Sequence, residues 1–274
     1  LEKGENLPLF TSCCPAWVNY CEKNHPELLP NISTCRSPMQ MFASVIKEQC
    51  REDGKRSVHV AIMPCTAKKG EAARKEFQKD GKPMVDYVIT TQELIVMIKE
   101  SGLIFSEIEP EAVDMPFGTM TGAGVIFGVS GGVTEAVLRR VSTDKSPGAL
   151  RSIAMTGVRG NEHIKELSVA YGEKELKIAI VNGLNGAEEV ISRIKGGEHF
   201  DFVEVMACHG GCVSGAGQPY IVNEGKERRG KALYASDKMC AIKRSESNPL
   251  MDELYAGLLK GKEHELLHVH YGAK

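Results

Sequence analysis

Several patterns that often indicate function are missing from this 274-residue sequence. No apolar run is long enough to cross a membrane as a helix, so the sequence predicts no membrane span. Lysine and arginine (34) nearly balance aspartate and glutamate (36), and no basic run gathers them, which argues against a nucleic-acid-binding protein. Neither a P-loop nor a G-x-G-x-x-G pattern follows a strand candidate, so the two usual phosphate cradles are excluded.

Cysteine is the residue type that carries the most information. Nine cysteines in a chain with few long loops favour a reducing compartment and a metal site over a disulfide framework. Cys21, Cys35 and Cys50 have no partner motif and are interpreted as ordinary buried thiols. The chain begins at Leu1, without a signal-peptide pattern, and we expect further sequence upstream.

The most informative stretch is FVEVMACHGGCVSGAGQP, residues 202–219. An apolar run typical of a buried strand, Phe202 to Met206, is followed by Cys208, and Cys212 comes next in a glycine-rich loop. Such a loop lets the backbone pass close to a bulky group and direct N–H groups at it. On spacing alone, the two thiols are either metal ligands or buried residues of an ordinary strand–loop turn.

Two further cysteines follow strand candidates. Cys14 comes after Leu7 to Phe10, and Cys65 comes after the near-continuous β run Ser57 to Met63. Strand–helix alternation in both halves predicts an α/β fold with mainly parallel sheets, whose functional sites lie at the carboxyl ends of strands. Cys14, Cys65, Cys208 and Cys212 would then converge on one site.

The metal at such a site can be narrowed by ligand spacing. Structural zinc usually takes paired C-x₂-C motifs, and none is present, so ligands scattered over three loops fit a cubane iron–sulfur cluster better. His264, His268 and His270 leave a second zinc site as an alternative to ordinary histidines, although no carboxylate or cysteine motif accompanies them. Trp17, the only tryptophan, is interpreted as a core residue.

The three cysteine-bearing loops also carry a resemblance. The segments TSCCPAW (11–17), MPCTAKK (63–69) and EVMACHGGCVSGAGQP (204–219) resemble the three signature stretches of the [FeFe]-hydrogenases. The similarity continues through SPMQM (37–41), VITTQEL (88–94), GAGVIFGVSGGV (122–133), VRG (158–160) and HELLHVHY (264–271). It covers essentially the whole chain.

This resemblance implies a fold, a reaction and a cofactor. The fold would have two lobes with mainly parallel twisted sheets flanked by helices: residues 1–110 as the first lobe, incomplete at its N-terminus, and residues 111–274 as the second lobe plus a C-terminal wrapping segment. The active site would lie in the cleft between them. The reaction would be 2 H⁺ + 2 e⁻ ⇌ H₂ at an H-cluster, in which a [4Fe–4S] cubane is joined to a diiron unit that carries CO, cyanide and a bridging dithiolate amine.

Roles for individual residues follow from the resemblance. The cubane ligands would be Cys14, Cys65, Cys208 and Cys212, with Cys212 bridging to the diiron unit. Cys13 would relay protons, Lys68 and Ser37 would donate hydrogen bonds to cyanide, and Ser33 stands where the family's proton path has a serine. The remaining assigned residues would form the wall of the diiron pocket: Pro38, Met63, Phe127 and Met206. A thiol with a pKa of about 8.5 exchanges protons near neutral pH, which a serine hydroxyl does not.

The sequence departs from the family in two ways. Met39 stands where well-known members have a glutamine, so one pocket hydrogen bond is in doubt. The family's segment before the first motif, with two glutamates of the proton path, is not in this sequence. Electrons would come from a ferredoxin or an accessory iron–sulfur subunit, and maturation proteins would insert the diiron unit. We expect a cytoplasmic location in an anaerobic organism.

Three other functions compete with a hydrogenase. One is a non-catalytic relative that assembles iron–sulfur proteins, although such relatives generally lack the relay cysteine and the full pocket. Another is a hydrogen-sensing hydrogenase that signals through a partner. The last is an α/β protein with structural zinc. Cys13, Lys68 and Met206 favour the enzyme.

Overall fold

The computed structural model describes residues 4–115, 117–172, 174–221 and 224–272. Its larger sheet has four strands in the order β1 (Leu9–Phe10), β8 (Phe202–Met206), β7 (Lys174–Asn182) and β6 (Ile164–Tyr171). Both pairings of β8 are parallel, whereas β6 and β7 form an antiparallel pair. Every residue of β8 is buried, as expected of a central strand covered on both faces.

Helices cover both faces of this sheet. On one face, α1 (Pro15–Asn24) and α8 (Leu184–Lys195) pack against Val181 and Val205, with Trp17 fully buried among them. On the other face, α6 (Gly132–Val141) and α7 (Pro147–Ile153) cover Ile180 through the side chains of Leu138 and Ile153. Successive residues of β7 therefore point into two separate cores, because strand side chains alternate between faces.

A second, two-stranded parallel sheet joins β2 (Val60–Met63) and β5 (Tyr87–Thr90). Helix α2 (Pro38–Glu52) covers its inner face, and α3 (Ala67–Ala72) and α4 (Thr91–Glu100) follow the two strands. Ser37 caps α2 by accepting a hydrogen bond from the Gln40 amide, and Pro38 occupies its first position, as the sequence predicts.

Three shorter features complete the two sheets. Helix α3 ends at Ala72 and is followed by a hairpin of β3 (Gln78–Lys79) and β4 (Lys82–Pro83). Thr90 caps α4 and forms a capping box with Glu93. The charged segment before β7 forms β6, whose inward positions include Lys165 and Leu167.

The C-terminal part returns to the rest of the fold. Helix α9 (Gly225–Met239) packs on α5 (Gly122–Val125), and α10 (Pro249–Ala256) precedes α11 (Glu263–Leu267), which packs on α2. Helix α9 ends at Met239, and residues 240–244 are not helical. The segment after α11 is tied to residues 34–36, since Val269 donates its amide to the Thr34 carbonyl.

The predicted fold class, α/β with parallel sheets and flanking helices, is confirmed. The division into lobes at residue 110 and the cleft between them stay predictions; β1 and α1, although early in the chain, pack with the larger sheet. No helix among the described residues has the length and apolar character that crossing a membrane requires.

Candidate metal centre

The loop after β8 carries Cys208 and Cys212. Gly211 donates its amide to the Cys208 carbonyl at 3.0 Å, which closes a tight turn between the two thiols. Gly210 and Gly211 have φ of +88° and +91°, a backbone region that side chains disfavour, so glycine is needed at both positions. The Gly210 amide donates to Asn182 Oδ1 at the end of β7, which fixes the turn to the sheet.

Cys65 is held against this loop by backbone contacts. Gly217 donates its amide to the Pro64 carbonyl at 3.0 Å. A Cβ atom on Gly215 would lie 2.0 Å from the same carbonyl oxygen, so the two loops approach as closely as backbones can. The Cys65 loop, from the smaller sheet, is thereby joined to the Cys208–Cys212 loop of the larger sheet.

Cys14 reaches the same edge through β1. Thr11 donates its amide to the Val203 carbonyl, and its hydroxyl accepts from the Val205 amide, so β1 runs parallel to β8 at its side. The Trp17 indole donates to the Thr11 carbonyl and holds the turn into α1. Cys14 follows β1 as Cys208 follows β8. Because the carboxyl ends of parallel strands lie at the same edge of a sheet, both cysteines lie at that edge.

The four thiols lie close enough to influence one another's charge. Burial raises the pKa of Cys14 and of Cys208; the Cys65 side chain adds to the rise at Cys14, and the Cys14 and Cys65 side chains add to the rise at Cys208. Burial, followed by the Cys14 thiolate, raises the pKa of Cys212 to about 12. The raised pKa values keep these thiols protonated in the metal-free protein, and binding a metal would require them to release their protons.

Among the residues in the ranges given above, no three His, Cys, Asp or Glu side chains are grouped as ligands of one metal ion. Tetrahedral zinc, with bonds of about 2.3 Å, would bring its sulfur ligands to roughly 3.8 Å from one another, whereas an iron–sulfur cluster is a larger group held by separate thiolates. A zinc ion or an iron–sulfur cluster at the four cysteines stays a prediction, and so does zinc at the C-terminal histidines.

Cys13 and Lys68 lie beside these four cysteines. Burial raises the pKa of the Cys13 thiol well above its usual value, and the Cys14 thiolate, the Glu204 carboxylate and the Cys212 thiolate add to this rise. The buried Lys68 ammonium donates to the Cys13 carbonyl at 3.3 Å and to Glu71 Oε2 at 2.8 Å. Lys68 thus carries a positive charge into a group of potential thiolates.

The other predicted site residues differ in their exposure. Ser37 is fully buried, and its hydroxyl oxygen accepts from the Gln40 amide, which leaves its own proton free to be donated. Met206 is buried, Met63 and Phe127 are half-buried, and Pro38 is exposed. The Ser33 hydroxyl accepts from the Cys35 amide at 3.2 Å. The roles assigned to these residues stay predictions.

The three cysteines interpreted above as ordinary buried thiols have different environments. Cys21 is buried, as expected, and its thiol donates to the His25 carbonyl. Cys50 is half-buried. The expectation of a buried thiol is wrong for Cys35, which is exposed because it lies in the strand-like segment paired with the chain's C-terminal end.

Sequence reasoning missed several buried polar groups near these loops. Among the described residues, the side-chain amide of Gln40 and the hydroxyls of Ser130 and Ser214 are buried without a hydrogen-bond partner. All three belong to segments that also carry predicted site residues. Such groups cost free energy unless something pairs with them, so the surroundings fit a cofactor that accepts and donates hydrogen bonds. In the sequence, the position of Gln40 between Met39 and Met41, a polar residue among apolar ones, was the signal that could have identified it.

Glu204 is a further residue that the sequence analysis did not single out. It is fully buried in β8 and accepts hydrogen bonds from the Gly131 amide (2.6 Å), the Thr134 amide (2.7 Å) and the Thr134 hydroxyl (2.7 Å). Its carboxylate therefore caps the N-terminus of α6 and holds the glycine-rich loop 127–132 against the cysteine-bearing strand. A lone acid inside an apolar strand is the pattern that indicates such a function.

Two family models match the chain. Residues 1–216 match the "Iron only hydrogenase large subunit, C-terminal domain", and residues 223–274 match the "Iron hydrogenase small subunit". One chain therefore contains both a large-subunit-like and a small-subunit-like sequence.

Individual relatives and a solved structure agree with this. The chain is 40% identical to the NADP-reducing hydrogenase subunit HndD of Solidesulfovibrio fructosivorans, covering 97% of this chain and 47% of that one. It is 31% identical to the cytosolic Fe-S cluster assembly factor narfl of Xenopus tropicalis, covering 99% and 60%. A variant of the [FeFe]-hydrogenase HydA1 of Chlamydomonas reinhardtii superposes with a TM-score of 0.78 at 35% identity, covering 99% and 79%. The chain spans about half the length of the curated hydrogenases it matches.

Proposed function

The chain belongs to the iron-only hydrogenase family, and from that premise we propose that it catalyses 2 H⁺ + 2 e⁻ ⇌ H₂ as an [FeFe]-hydrogenase. One observation carries the proposal beyond family membership. A fifth thiol, Cys13, lies beside the four converging cysteines and interacts electrostatically with Cys14 and Cys212. A site that only stored a cubane would need four thiols, whereas a proton-transfer site needs a further acid.

The proposed cofactor is an H-cluster. Cys14, Cys65, Cys208 and Cys212 would hold the [4Fe–4S] cubane, with Cys212 also contacting the diiron unit. When bound, the cubane supplies electrons, and the diiron unit with its CO, cyanide and dithiolate amine supplies the centre at which protons and electrons combine.

The chain's own residues would supply and place the proton. Burial, and after it nearby negative charge, raises the pKa of the Cys13 thiol well above its usual value, so the thiol would carry a proton at neutral pH. From there it holds a proton ready for transfer over a short distance. Lys68 is fixed by Glu71 and by the Cys13 carbonyl, so its remaining N–H group has a defined position next to the thiol. Ser37 keeps a free hydroxyl proton for an anionic ligand, and Ser33 would belong to the proton path.

Apolar side chains would keep water out. Met206 is 2% exposed, and Met63 packs against the core between α2 and β2. Together with Phe127 and Pro38 they would surround the diiron unit. Exclusion of water strengthens hydrogen bonds from Lys68 and Ser37, because the local dielectric is low.

Electrons would be exchanged with a ferredoxin or an accessory iron–sulfur subunit, and maturation proteins would supply the diiron unit. We also propose a cytoplasmic location in an anaerobic organism. Iron–sulfur assembly is the competing function, since an assembly factor is 31% identical over 99% of the chain. Cys13 is the residue that distinguishes the two functions, because a hydrogenase would need its proton and an assembly protein would not.

Infrared spectroscopy under hydrogen tests the proposal. The protein would be reconstituted anaerobically with iron, sulfide and a synthetic diiron complex. We expect sharp CO and cyanide bands that shift under H₂, and H₂ production from reduced methyl viologen. A chain that takes up iron but shows no such bands would be a cubane-binding protein instead, and the proposed activity would be wrong.

Cys13→Ala separates proton relay from cofactor binding. The bands should remain, whereas H₂ production should fall by about 10²–10⁴-fold, the usual contribution of a positioned proton donor. Cys21→Ala is the matched control, because Cys21 is a buried thiol on the core-facing side of α1. Equal activity of the two variants would contradict the role of Cys13.

A further inference from the structure

Ser130 has a hydroxyl without a partner in a place where burial makes that costly. The residue is 2% exposed, and its Oγ has no hydrogen-bond partner among the described residues. Leaving a buried hydroxyl unpaired is unfavourable, because the group loses its hydrogen bonds to water and gains none in the protein. A partner that the protein itself does not provide is therefore expected next to it.

The backbone of Ser130 is fixed on the Cys208–Cys212 loop. Its amide donates to the Gly210 carbonyl at 3.1 Å. A Cβ atom on Gly211, the residue before Cys212, would lie 2.6 Å from the Ser130 nitrogen. No side chain fits between Ser130 and the backbone that presents Cys212.

Glu204 fixes Gly131, the residue that follows Ser130. Its carboxylate accepts from the Gly131 amide at 2.6 Å, and Gly131 has φ of +86°. A Cβ atom on Gly131 would lie 1.9 Å from the Val158 carbonyl oxygen, so the chain cannot turn away on that side. The backbone of Ser130 is thus held on both sides, and the hydroxyl can change its direction only by rotation about χ1.

We infer that Ser130 donates a hydrogen bond to a sulfur atom of the iron–sulfur cluster held by Cys14, Cys65, Cys208 and Cys212. The inference rests on the cluster binding in the proposed function. Ser130 is a positioning and tuning residue rather than a proton carrier. A donor to a cluster sulfur stabilises the reduced state, which has one more negative charge, and so raises the reduction potential.

The test uses protein loaded with iron and sulfide only, so that no catalytic turnover is needed. The reduction potential of the cubane is measured by redox titration with electron paramagnetic resonance detection. We expect Ser130→Ala to shift the potential to more negative values and Ser130→Thr, which keeps the hydroxyl, to restore it. Ser44→Ala is the matched control, because Ser44 is equally buried but donates to the Gln40 carbonyl at 2.8 Å.

A second measurement detects the proton itself. In D₂O, the reduced wild-type cluster should show an exchangeable deuteron by electron–nuclear double resonance, and Ser130→Ala should lose it. If Ser130→Ala takes up no cluster while Ser130→Thr binds one at the wild-type potential, the hydroxyl is again required.

Three results would overturn the inference. An alanine variant with the wild-type potential and deuteron signal would mean that a buried water, or nothing, pairs with the hydroxyl. Loss of the cluster in both variants would mean that Ser130 acts through packing alone. A wild-type protein that takes up no four-iron cluster would overturn the proposed function together with this inference, whereas the first two results leave the proposed function intact.

Discussion

Replacing Gly215 by alanine tests how the two ligand loops are joined. Gly215 has φ of −60° and ψ of 151°, a conformation open to any residue, so the change introduces no backbone strain. The added Cβ atom, however, would lie 2.0 Å from the Pro64 carbonyl oxygen. Real contacts of this kind do not fall below about 3 Å, so the loops must separate by roughly 1 Å.

The cost can be worked from this separation. Forcing an extra carbon into a packed site costs about 1–3 kcal/mol. Movement of the Pro64 carbonyl also weakens its hydrogen bond with the Gly217 amide, which contributes about 1 kcal/mol. We therefore expect Gly215→Ala to lower the free energy of unfolding by roughly 2–4 kcal/mol and to reduce cluster uptake, since Cys65 moves away from Cys212.

Urea-induced unfolding of the metal-free protein, followed by circular dichroism, measures the first effect, and iron and sulfide content after reconstitution measures the second. Gly70→Ala is the matched control. Gly70 lies in α3 with no atom within 4 Å of its added Cβ, and alanine there should be neutral or stabilising by up to about 1 kcal/mol. A Gly215→Ala protein with wild-type stability and full cluster content would refute the loop contact.

Three other changes have expected outcomes. Cys65→Ala should abolish stable four-iron cluster uptake, measured by iron content, whereas Cys21→Ala should retain it; retention in both would remove Cys65 from the ligand set. Arg139→Ala should lower the free energy of unfolding by about 3–5 kcal/mol in a denaturant titration, because it leaves the buried Asp237 carboxylate without its bidentate partner at 2.8 Å; a loss below 1 kcal/mol would contradict this. The hydrogen bond from Arg51, against the opposing effect of burial, holds the pKa of Glu48 at about 2, down from 4.5. Its stabilising contribution is therefore present above about pH 4.5 and lost as the pH falls towards 2, so Glu48→Gln should flatten the acid limb of the stability–pH profile, and an unchanged limb would contradict the pairing.

Much of the site could be predicted without a structure. The strand Phe202–Met206 has the observed bounds, and Ser37 with Pro38 starts α2 as expected. These features depend on neighbours in the chain: an apolar run, a capping hydroxyl and a proline at the first helical position. The rule that parallel strands end at one edge was then enough to bring Cys14 and Cys208 together.

Other features depend on residues far apart in the chain. Strand β6 forms because its inward side chains meet β7 and α6, although its charged sequence indicates no strand. Helix α9 is strongly polar, and Asp237 near its end is paired with Arg139 of α6, 98 residues away.

What the sequence determined by itself is the set of candidate ligand thiols and their order along the chain, since the chemistry of a thiol and the glycine turns around it are local properties. What only the tertiary structure decided is how buried polar groups are paired. Glu204 caps a helix 70 residues earlier in the chain, and the Ser130 hydroxyl is left without a protein partner. The physical reason is that the free-energy cost of burying a charge or a hydroxyl depends on the hydrogen-bond partners that the fold brings next to it. Those partners are distant in the sequence, so no local pattern predicts them.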